Sequence, residues 1–497
     1  MSKSKNGAST SSEAERNGDV LPDGWTTTAL DEIGELFCGQ SPKVSEVNKD
    51  GEGTPYFTGP ESWDGNSLRT EKWTTNPKRI VPDGCIFIAV KGAGVGKLFQ
   101  GAAGAIDRDV YAFKPKDEVS TKFIEYSLRF NINQVLQHAK GDIPGLSKAH
   151  ILDHITRLPP LPEQKRIVSK IEELFSDLDA GVSALERARA NLRRYRASVL
   201  KSAVEGRLTE TWRDANKANP DIEPASEFLA RILRERRQRW EQQQLATYES
   251  KGKKPPKNWQ SKYKEPAAPD MKQIPELVED GFSPEIWLSI DTVIETLEQG
   301  WSPKCERVPS PSHDEWGVIK TSAVMPMEYI EIENKRLPET LEPRPRLEVN
   351  QNDLLITRAG PRKRAAVACL VRSTRPRLIV CDKIYRITFS SEFVLPEYME
   401  IVLNAPSIMD VMDEMKTGIS DSGVNLTQNR FRELMIPLPC LEEQRGIVNE
   451  VSRLFSVVDK TAECLIQRLG HSTTLRQSIL KSAFEDKLVA QSELVLA

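Results

Sequence analysis

The sequence predicts an α+β chain: two α/β domains in pseudo-two-fold arrangement, separated by two long antiparallel coiled-coil helices. Three observations lead there. A segment repeats without a gap at an offset of 280 residues, each copy carries a heptad pattern, and each copy follows a stretch of short apolar runs broken by glycine and proline. Leu158-Pro-Pro-Leu-Pro-Glu-Gln-Lys-Arg-Ile-Val returns as Leu438-Pro-Cys-Leu-Glu-Glu-Gln-Arg-Gly-Ile-Val, and Arg196-Ala-Ser-Val-Leu-Lys-Ser-Ala as Arg476-Gln-Ser-Ile-Leu-Lys-Ser-Ala. Roughly 20 of the 51 positions from Leu158 to Leu208 are identical, which marks a duplication. Duplicated halves normally stack as a symmetric dimer does, with the same contact made twice.

Residues 1–20 are Ser, Asn, Gly and charge with no apolar run, and read as a disordered tail rather than a signal peptide. Residues 21–157 form the first domain. Its landmarks are Trp25, Gly39-Gln-Ser-Pro-Lys43, and an apolar strand Cys85-Ile-Phe-Ile-Ala-Val running into Lys91-Gly-Ala-Gly. Residues 158–208 are the first spacer helix. Pro159, Pro160 and Pro162 end the preceding strand, and apart from Gly181 no breaker follows until Gly206, giving about 43 helical residues. Its seam runs Ile167, Ile171, Leu174, Leu178, Gly181, Leu185, Ala188, Leu192, Tyr195, Val199, in alternating steps of four and three.

Residues 209–281 resemble neither repeat: a charged helix from Pro224 to about Tyr248 with Arg231, Arg234, Arg236, Arg237 and Arg239, then Lys251-Gly-Lys-Lys-Pro-Pro-Lys and a proline-rich linker. That helix reads as solvated or partner-docking. Residues 282–435 are the second domain, with Trp287, Gly300-Trp-Ser-Pro-Lys304 and the strand Leu354-Leu-Ile-Thr leading into Arg358-Ala-Gly-Pro-Arg-Lys-Arg364. Residues 436–497 are the second spacer helix and tail. It keeps Ile447, Val451, Leu454, Val458, Leu465, Leu475 and Ile479 on the seam but places Thr461, Arg468 and Ser472 there too, so its middle packs more loosely.

Composition excludes several classes. At 497 residues the chain exceeds one compact core, and with 28% charged residues and no run of 18 apolar residues nothing spans a bilayer, so a cytoplasmic protein is expected. Seven scattered cysteines, never spaced CxxC, read as buried thiols and indicate neither a disulfide framework nor a zinc site. The five histidines are too scattered for a metal cluster, and His150 with His154 suits a capped helix end. The run Gly92-Ala-Gly-Val-Gly-Lys97 misses the phosphate-loop spacing, with Lys91 at its first place and Leu98 at its last. No Asn/Asp-Pro-Pro-Tyr/Phe of the amino-methyltransferases is present, and Glu333-Asn-Lys335 is too common a tripeptide to mark a nuclease. No catalytic or metal-ligating set emerges.

The net charge of -3 argues against a chain that coats nucleic acid non-specifically, yet from Arg358 to Arg386 nine Lys or Arg stand against the single acid Asp382, a local charge of +8. Interleaved with strand-like runs, this reads as a folded basic surface. The candidate DNA-binding residues are Lys43, Lys91, Lys97, Lys304, Arg358, Arg362, Lys363 and Arg364; the candidate helix-pairing residues are Ile167, Ile171, Leu174, Leu178, Leu185, Ile447, Val451, Leu454, Val458 and Leu465.

Two domains, each followed by a copy of one helix that opens Leu-Pro-x-Leu-x-Glu-Gln and closes Leu-Lys-Ser-Ala, resemble the specificity subunit of type I restriction-modification enzymes across nearly the whole chain after Leu21. The resemblance implies a non-catalytic subunit. Each domain would be a target-recognition domain reading one half of a bipartite site on double-stranded DNA, and the helices would set the spacer and dock two methyltransferase subunits. Restriction/translocase subunits would complete the complex. It implies no cofactor on this chain, with S-adenosylmethionine, ATP and Mg acting on the partners in adenine methylation and cleavage. The insert from Thr209 to Lys272 resembles only some branches of the family. The rival reading is a coiled-coil scaffolding protein without DNA recognition.

Overall fold

The computed structural model describes residues 21–63, 68–137, 145–216, 219–220, 222–266, 286–310, 312–418, 421, 423–485 and 488. The expected N-terminal tail, the linker beyond residue 266 and the C-terminal tail lie outside the described residues. The chain divides into two compact units that share the long helices: residues 1–187 with 465–497, and residues 188–464.

The helices span Leu161–Val204 and Leu441–Phe484, 44 residues each and in register at the repeat offset of 280. Each is about 66 Å long. The first stops where Gly206 takes φ +72, the left-handed conformation that glycine adopts without strain.

The repeated glutamine at each helix start explains the opening motif. Gln164 is 1% exposed; its Nε2 donates to Pro159 O (2.8 Å) and its Oε1 accepts from Ser120 N (2.8 Å). Gln444, fully buried, donates to Pro439 O (2.9 Å) and Phe393 O (2.8 Å) and accepts from Leu395 N (2.9 Å). Each carboxamide therefore satisfies backbone groups of its own domain and fixes the angle at which the helix leaves it.

The closing motif is a plug. Val199, Leu200, Ala203 and Val204 are buried in the core of the second unit with Ile447, Val451, Phe393 and Tyr398. Ile479, Leu480, Ala483 and Phe484 are buried in the first unit with Ile167, Ile171, Phe123 and Ile124, and Phe484 packs on Phe123 and Phe130 at 5.2 and 5.7 Å between ring centroids. Within each unit the two helix segments run antiparallel. The contacts are the same pair made twice: Arg476 pairs with Asp179 and lies 5.0 Å from the Phe175 ring, while Arg196 pairs with Asp459 and lies 4.9 Å from the Phe455 ring.

The helix-pairing residues Ile167, Ile171, Ile447, Val451, Val458 and Leu465 are buried, and Leu174, Leu178, Leu185 and Leu454 half-buried. Two seam assignments need correction. Tyr195 and its repeat mate Leu475 stay about half exposed, and Gly181 and Thr461 face solvent while their neighbours Val182 and Ala462 turn inward. A straight helix at 3.6 residues per turn drifts off a strict 3.5 repeat, and the inward position slips by one residue.

Both domains share one frame. The first has an antiparallel sheet in the order Gly34–Cys38, Val110–Pro115, Ile86–Ala89, Leu98–Gln100; the second repeats it as Ile294–Gln299, Ile384–Phe389, Leu354–Thr357, Ala368–Leu370. In each, the first strand pairs with the strand that leads into the long helix: Thr26–Ala29 with Ile155–Leu158, and Trp287–Ser289 with Met435–Pro437. A second layer differs in size, five strands in one domain and three in the other, with one parallel pair in each. All four residues of Leu354–Thr357 are buried, as suits a strand covered on both faces.

The insert folds as helices Glu210–Asn216 and Ala225–Ser250. The second is not simply solvated: Phe228 and Ile232 enter the core of the second unit, and Arg231 lies 4.8 Å from the Phe393 ring. The cysteines form no disulfide; Cys85, Cys369 and Cys381 are buried, Cys38, Cys305 and Cys440 half-buried, and Cys464 exposed, which corrects the expectation of uniformly buried thiols.

Replacing Gln444 by Leu leaves three buried backbone groups without partners and should lower unfolding stability by about 2–4 kcal/mol. Glu442→Gln, at an exposed neighbour, should stay within about 0.5 kcal/mol. Denaturant midpoints of the two variants check this. Arg476→Asp sets like charges against each other across the seam and should cost about 1 kcal/mol, and adding Asp179→Arg should recover most of it. A thermal melt in which the double variant is no more stable than the single one would show that the pair does not couple.

Candidate nucleic-acid interface

The Gly-x-Ser-Pro-Lys turn follows the first strand of each central sheet, and its glycine is set by a close approach. A Cβ on Gly39 would collide with the carbonyl oxygens of Asp107 and Val110, and one on Gly300 with those of Val380 and Cys381. Gly39 N donates to Val110 O (3.2 Å) and Gln40 N to Ile106 O (3.1 Å); Gly300 N donates to Ile384 O (3.4 Å) and Trp301 N to Val380 O (2.9 Å). Ser41 donates to Asp107 and Ser302 to Asp382 across the same gap. In the first domain Tyr56 also donates to Asp107 (2.5 Å), and burial together with that carboxylate pushes the Tyr56 phenol far above its ordinary range. The turns are thus clasped at their base, with Lys43 and Lys304 exposed at the end.

The loop after the central strand joins this end of the sheet. Val90 N donates to Asp109 O (2.9 Å) and Leu146 N to Val90 O (2.9 Å); correspondingly Arg358 N donates to Lys383 O (2.8 Å) and Leu426 N to Arg358 O (2.7 Å). Lys91 bridges to Gly145, and Ala359–Gly360 pairs with Val424–Asn425, so the repeat reaches upstream of the helix. Each domain therefore brings three loops and one extended segment together: 39–43, 107–109, 91–97 and 145 in the first, and 300–304, 381–383, 358–364 and 425 in the second.

Lys91 is exposed, its Nζ 3.9 Å from Asp109. Lys97 is exposed on the rim of a cleft of about 590 Å³ lined also by Trp63, Arg129, Phe175, Arg476 and Leu480. The amides of the intervening glycine run are spent on their own chain, with Val95 N on Gly92 O, Gly96 N on Ala89 O and Lys97 N on Gly94 O. They do not point together as a phosphate cradle requires.

The basic block of the second domain is less free than its charge count suggests. Arg358 turns inward: Nε donates to Asp382 O (2.8 Å), Nη1 to Asn425 Oδ1 (3.1 Å), and the guanidinium lies 5.6 Å from the Tyr385 ring. Arg362 pairs with Asp413 (2.8 Å) and Asp421 (3.0 Å), which hold its pKa above the usual value. Arg364 donates to Thr321 O (3.2 Å). Arg372 pairs with the fully buried Glu400 (2.5 Å), Arg375 is buried on Ser310 O and Glu315 O, and Arg386 reaches Glu298. These arginines brace loops, because each finds an acid or carbonyl distant in sequence. Lys363 and Lys383 remain exposed.

The facing turn carries exposed Arg108, which lies outside the candidate residues, and exposed Lys383, which was counted only as part of the basic block. Its signal was present as Asp107-Arg-Asp-Val-Tyr111 against Asp382-Lys-Ile-Tyr385. Also unforeseen is Arg344, 4.2 Å over the Trp301 ring beside the second Ser-Pro-Lys turn. Glu333 is held by Lys320 (2.7 Å) and by Ser322, which keep its carboxyl below the usual range. Among the described residues no group of three His, Cys, Asp or Glu could hold a metal ion, and no helix is long and apolar enough to cross a membrane.

Residues 22–187 match the family model described as the type I restriction modification DNA specificity domain. The type I restriction enzyme EcoEI specificity subunit of Escherichia coli is 27% identical over 504 residues, covering 88% of this chain and 79% of the relative. The EcoBI specificity subunit of Escherichia coli is 22% identical, covering 95% and 88%. A chain from a solved structure on complex assembly and conformational transition of the type I R-M system aligns with a TM-score of 0.59 at 14% identity, over 94% of this chain and 99% of that one, a likeness of fold. Residues 22–187 thus match the DNA specificity domain of type I restriction-modification systems, and over most of its length the chain is similar to type I restriction enzyme specificity subunits.

Proposed function

We propose that this chain reads a bipartite site on double-stranded DNA for a type I restriction-modification complex, each domain taking one half-site. One observation carries the reading. The same clasped turn cluster recurs at the same end of the same sheet in both domains, yet beyond the shared lysine of the Ser-Pro-Lys turn, Lys43 and Lys304, it presents different side chains: Lys91, Lys97 and Arg108 in one, Lys363 and Lys383 in the other. A shared frame with different loops suits two different half-sites, since phosphate contacts position a reader and the loop side chains reach base edges. The lysines serve the phosphates, and the internally braced arginines hold loop shape. The long helices set the spacer and dock two methyltransferase subunits, to which restriction/translocase subunits join. S-adenosylmethionine, ATP and Mg act on those partners, and this chain contributes recognition rather than catalysis.

Gel shift of the full chain, alone and with its methyltransferase partner, tests the reading against a scaffold that ignores DNA. Replacing Lys43, Lys91 and Lys97 together by Ala should weaken duplex binding and flatten its salt dependence by about one unit of slope per lysine that contacts phosphate. A slope identical to wild type would remove these residues from the interface. For the spacer, a heptad inserted between Gly181 and Leu185, matched by one between Thr461 and Leu465, keeps both seams in phase and adds roughly 10 Å. At about 3.4 Å per base pair the methylated motif in cells should keep both half-sites and gain up to about three base pairs between them. Full activity on the original gap would show that the helices do not measure the distance.

A further inference from the structure

The insert ends in a feature that the turn clusters do not use. From Lys251 to Lys264 the chain carries Lys251, Lys253, Lys254, Lys257, Lys262 and Lys264 with no acid between them, and all six are exposed. The helix macrodipole does not account for them, since none lies within the last turn of the helix, and Gly252 at φ +59 takes the chain away from the axis at once. None of the six makes an ion pair among the described residues, although Glu249 and Glu265 stand at either side; Glu265 faces Arg237 instead (4.0 Å).

The arch is built. Its first foot is tied to the helix end by Lys251 N and Lys253 N, which both donate to Tyr248 O (3.2 and 2.9 Å). Its second foot is stapled by rings: Trp259 stacks on Trp240 at 5.8 Å and 20°, Tyr263 packs on Trp240 at 5.3 Å, and Arg236 donates to Tyr263 OH (3.0 Å) and Lys264 O (3.3 Å). Pro255 and Pro256 stiffen the span between. Arg236 also grips Asp291, and Arg239 reaches Glu295 and Ser390, which anchors the helix at the start of strand Ile294–Gln299. The Ser-Pro-Lys turn lies past the other end of that strand, about 20 Å away. Six cations are thus held together on a rigid arc, apart from the turn cluster.

We propose that this lysine arch is a separate, sequence-independent contact for the phosphates of duplex DNA. The inference rests on the DNA-reading role proposed above and assigns the insert a part in it. Lysine supplies an adaptable point charge without bidentate geometry, which suits phosphates at any sequence. An acidic protein surface would call for exposed Arg and aromatic anchors, whereas here Trp259 and Tyr263 are turned against Trp240 and the arch offers only ammonium groups.

The test is Lys253→Gln, Lys254→Gln, Lys257→Gln and Lys262→Gln combined in the full chain, none of them packed in a core, with unchanged circular dichroism as the folding check. The probe is a short duplex lacking the host's methylated motif, titrated at several salt concentrations. The expected result is weaker binding with the log-log salt slope flattened by up to about 3.6, at 0.9 per lysine, while the preference for the cognate motif over that duplex is retained. An unchanged slope overturns the arch as a DNA contact and leaves the half-site reading standing. Unchanged DNA binding with weakened association of the methyltransferase subunits also overturns it, and makes the arch a protein-docking surface. A wild-type chain that shifts neither duplex, alone or with its methyltransferase partner, overturns the half-site reading and the arch together.

Discussion

The architecture depends on where each long helix ends. Its last two turns, Val199 to Val204 in one copy and Ile479 to Phe484 in the other, are core residues of the unit that the opposite domain forms. Each helix is tied at its start by a buried glutamine to its own domain and at its finish by four apolar side chains to the other unit's core. At about 25 cal/mol per Å² of apolar surface, burying such a quartet is a large share of any domain's stability. The middle of the helices can then be polar and loosely packed, as Gly181, Thr461 and Arg468 allow, because the ends hold it.

This division of labour explains why the repeat is conspicuous where it is. Identity between the halves concentrates at Leu-Pro-x-Leu-x-Glu-Gln and Ser-x-Leu-Lys-Ser-Ala, where the buried glutamine and the apolar plug recur in both halves. Lys201 and Ser202 fill the two positions of the closing motif that the plug leaves less covered, between the inward Leu200 and Ala203. The seam between the ends needs only reciprocal contacts, and Asp179–Arg476 with Arg196–Asp459 supplies them from a single repeated pair of residue types.

The helices were legible in the sequence because a gapless repeat with a heptad is a long signal. The shared sheet frame was not, since its strands are three to six residues long and the first of them pairs with a strand far along the chain, as Glu298 with Arg386 does. In the candidate interface the exposure of the lysines was legible, and the internal pairing of the arginines was not, for one physical reason. A count of charges along the chain does not show Asp413, Asp421, Glu400 or Glu298 arriving from elsewhere to engage Arg362, Arg372 and Arg386. Tyr195 and Leu475 were placed on the seam by a strict seven-residue period that a straight helix does not keep.

The plug at Phe484 also governs the order of folding. The core of the first unit holds Trp25 near the start of the chain and Phe484 near its end, both almost fully buried. During synthesis the N-terminal domain emerges first, but its core stays open until the end of the last helix has been made, whereas the second unit can close around Val199 to Val204 once the start of that helix, with Ile447 and Val451, has followed its strands. The domain made first is therefore completed last. Through that interval its apolar face, with Phe123 and Phe130 uncovered, is the part of the nascent chain most exposed to chaperones and to association with other copies.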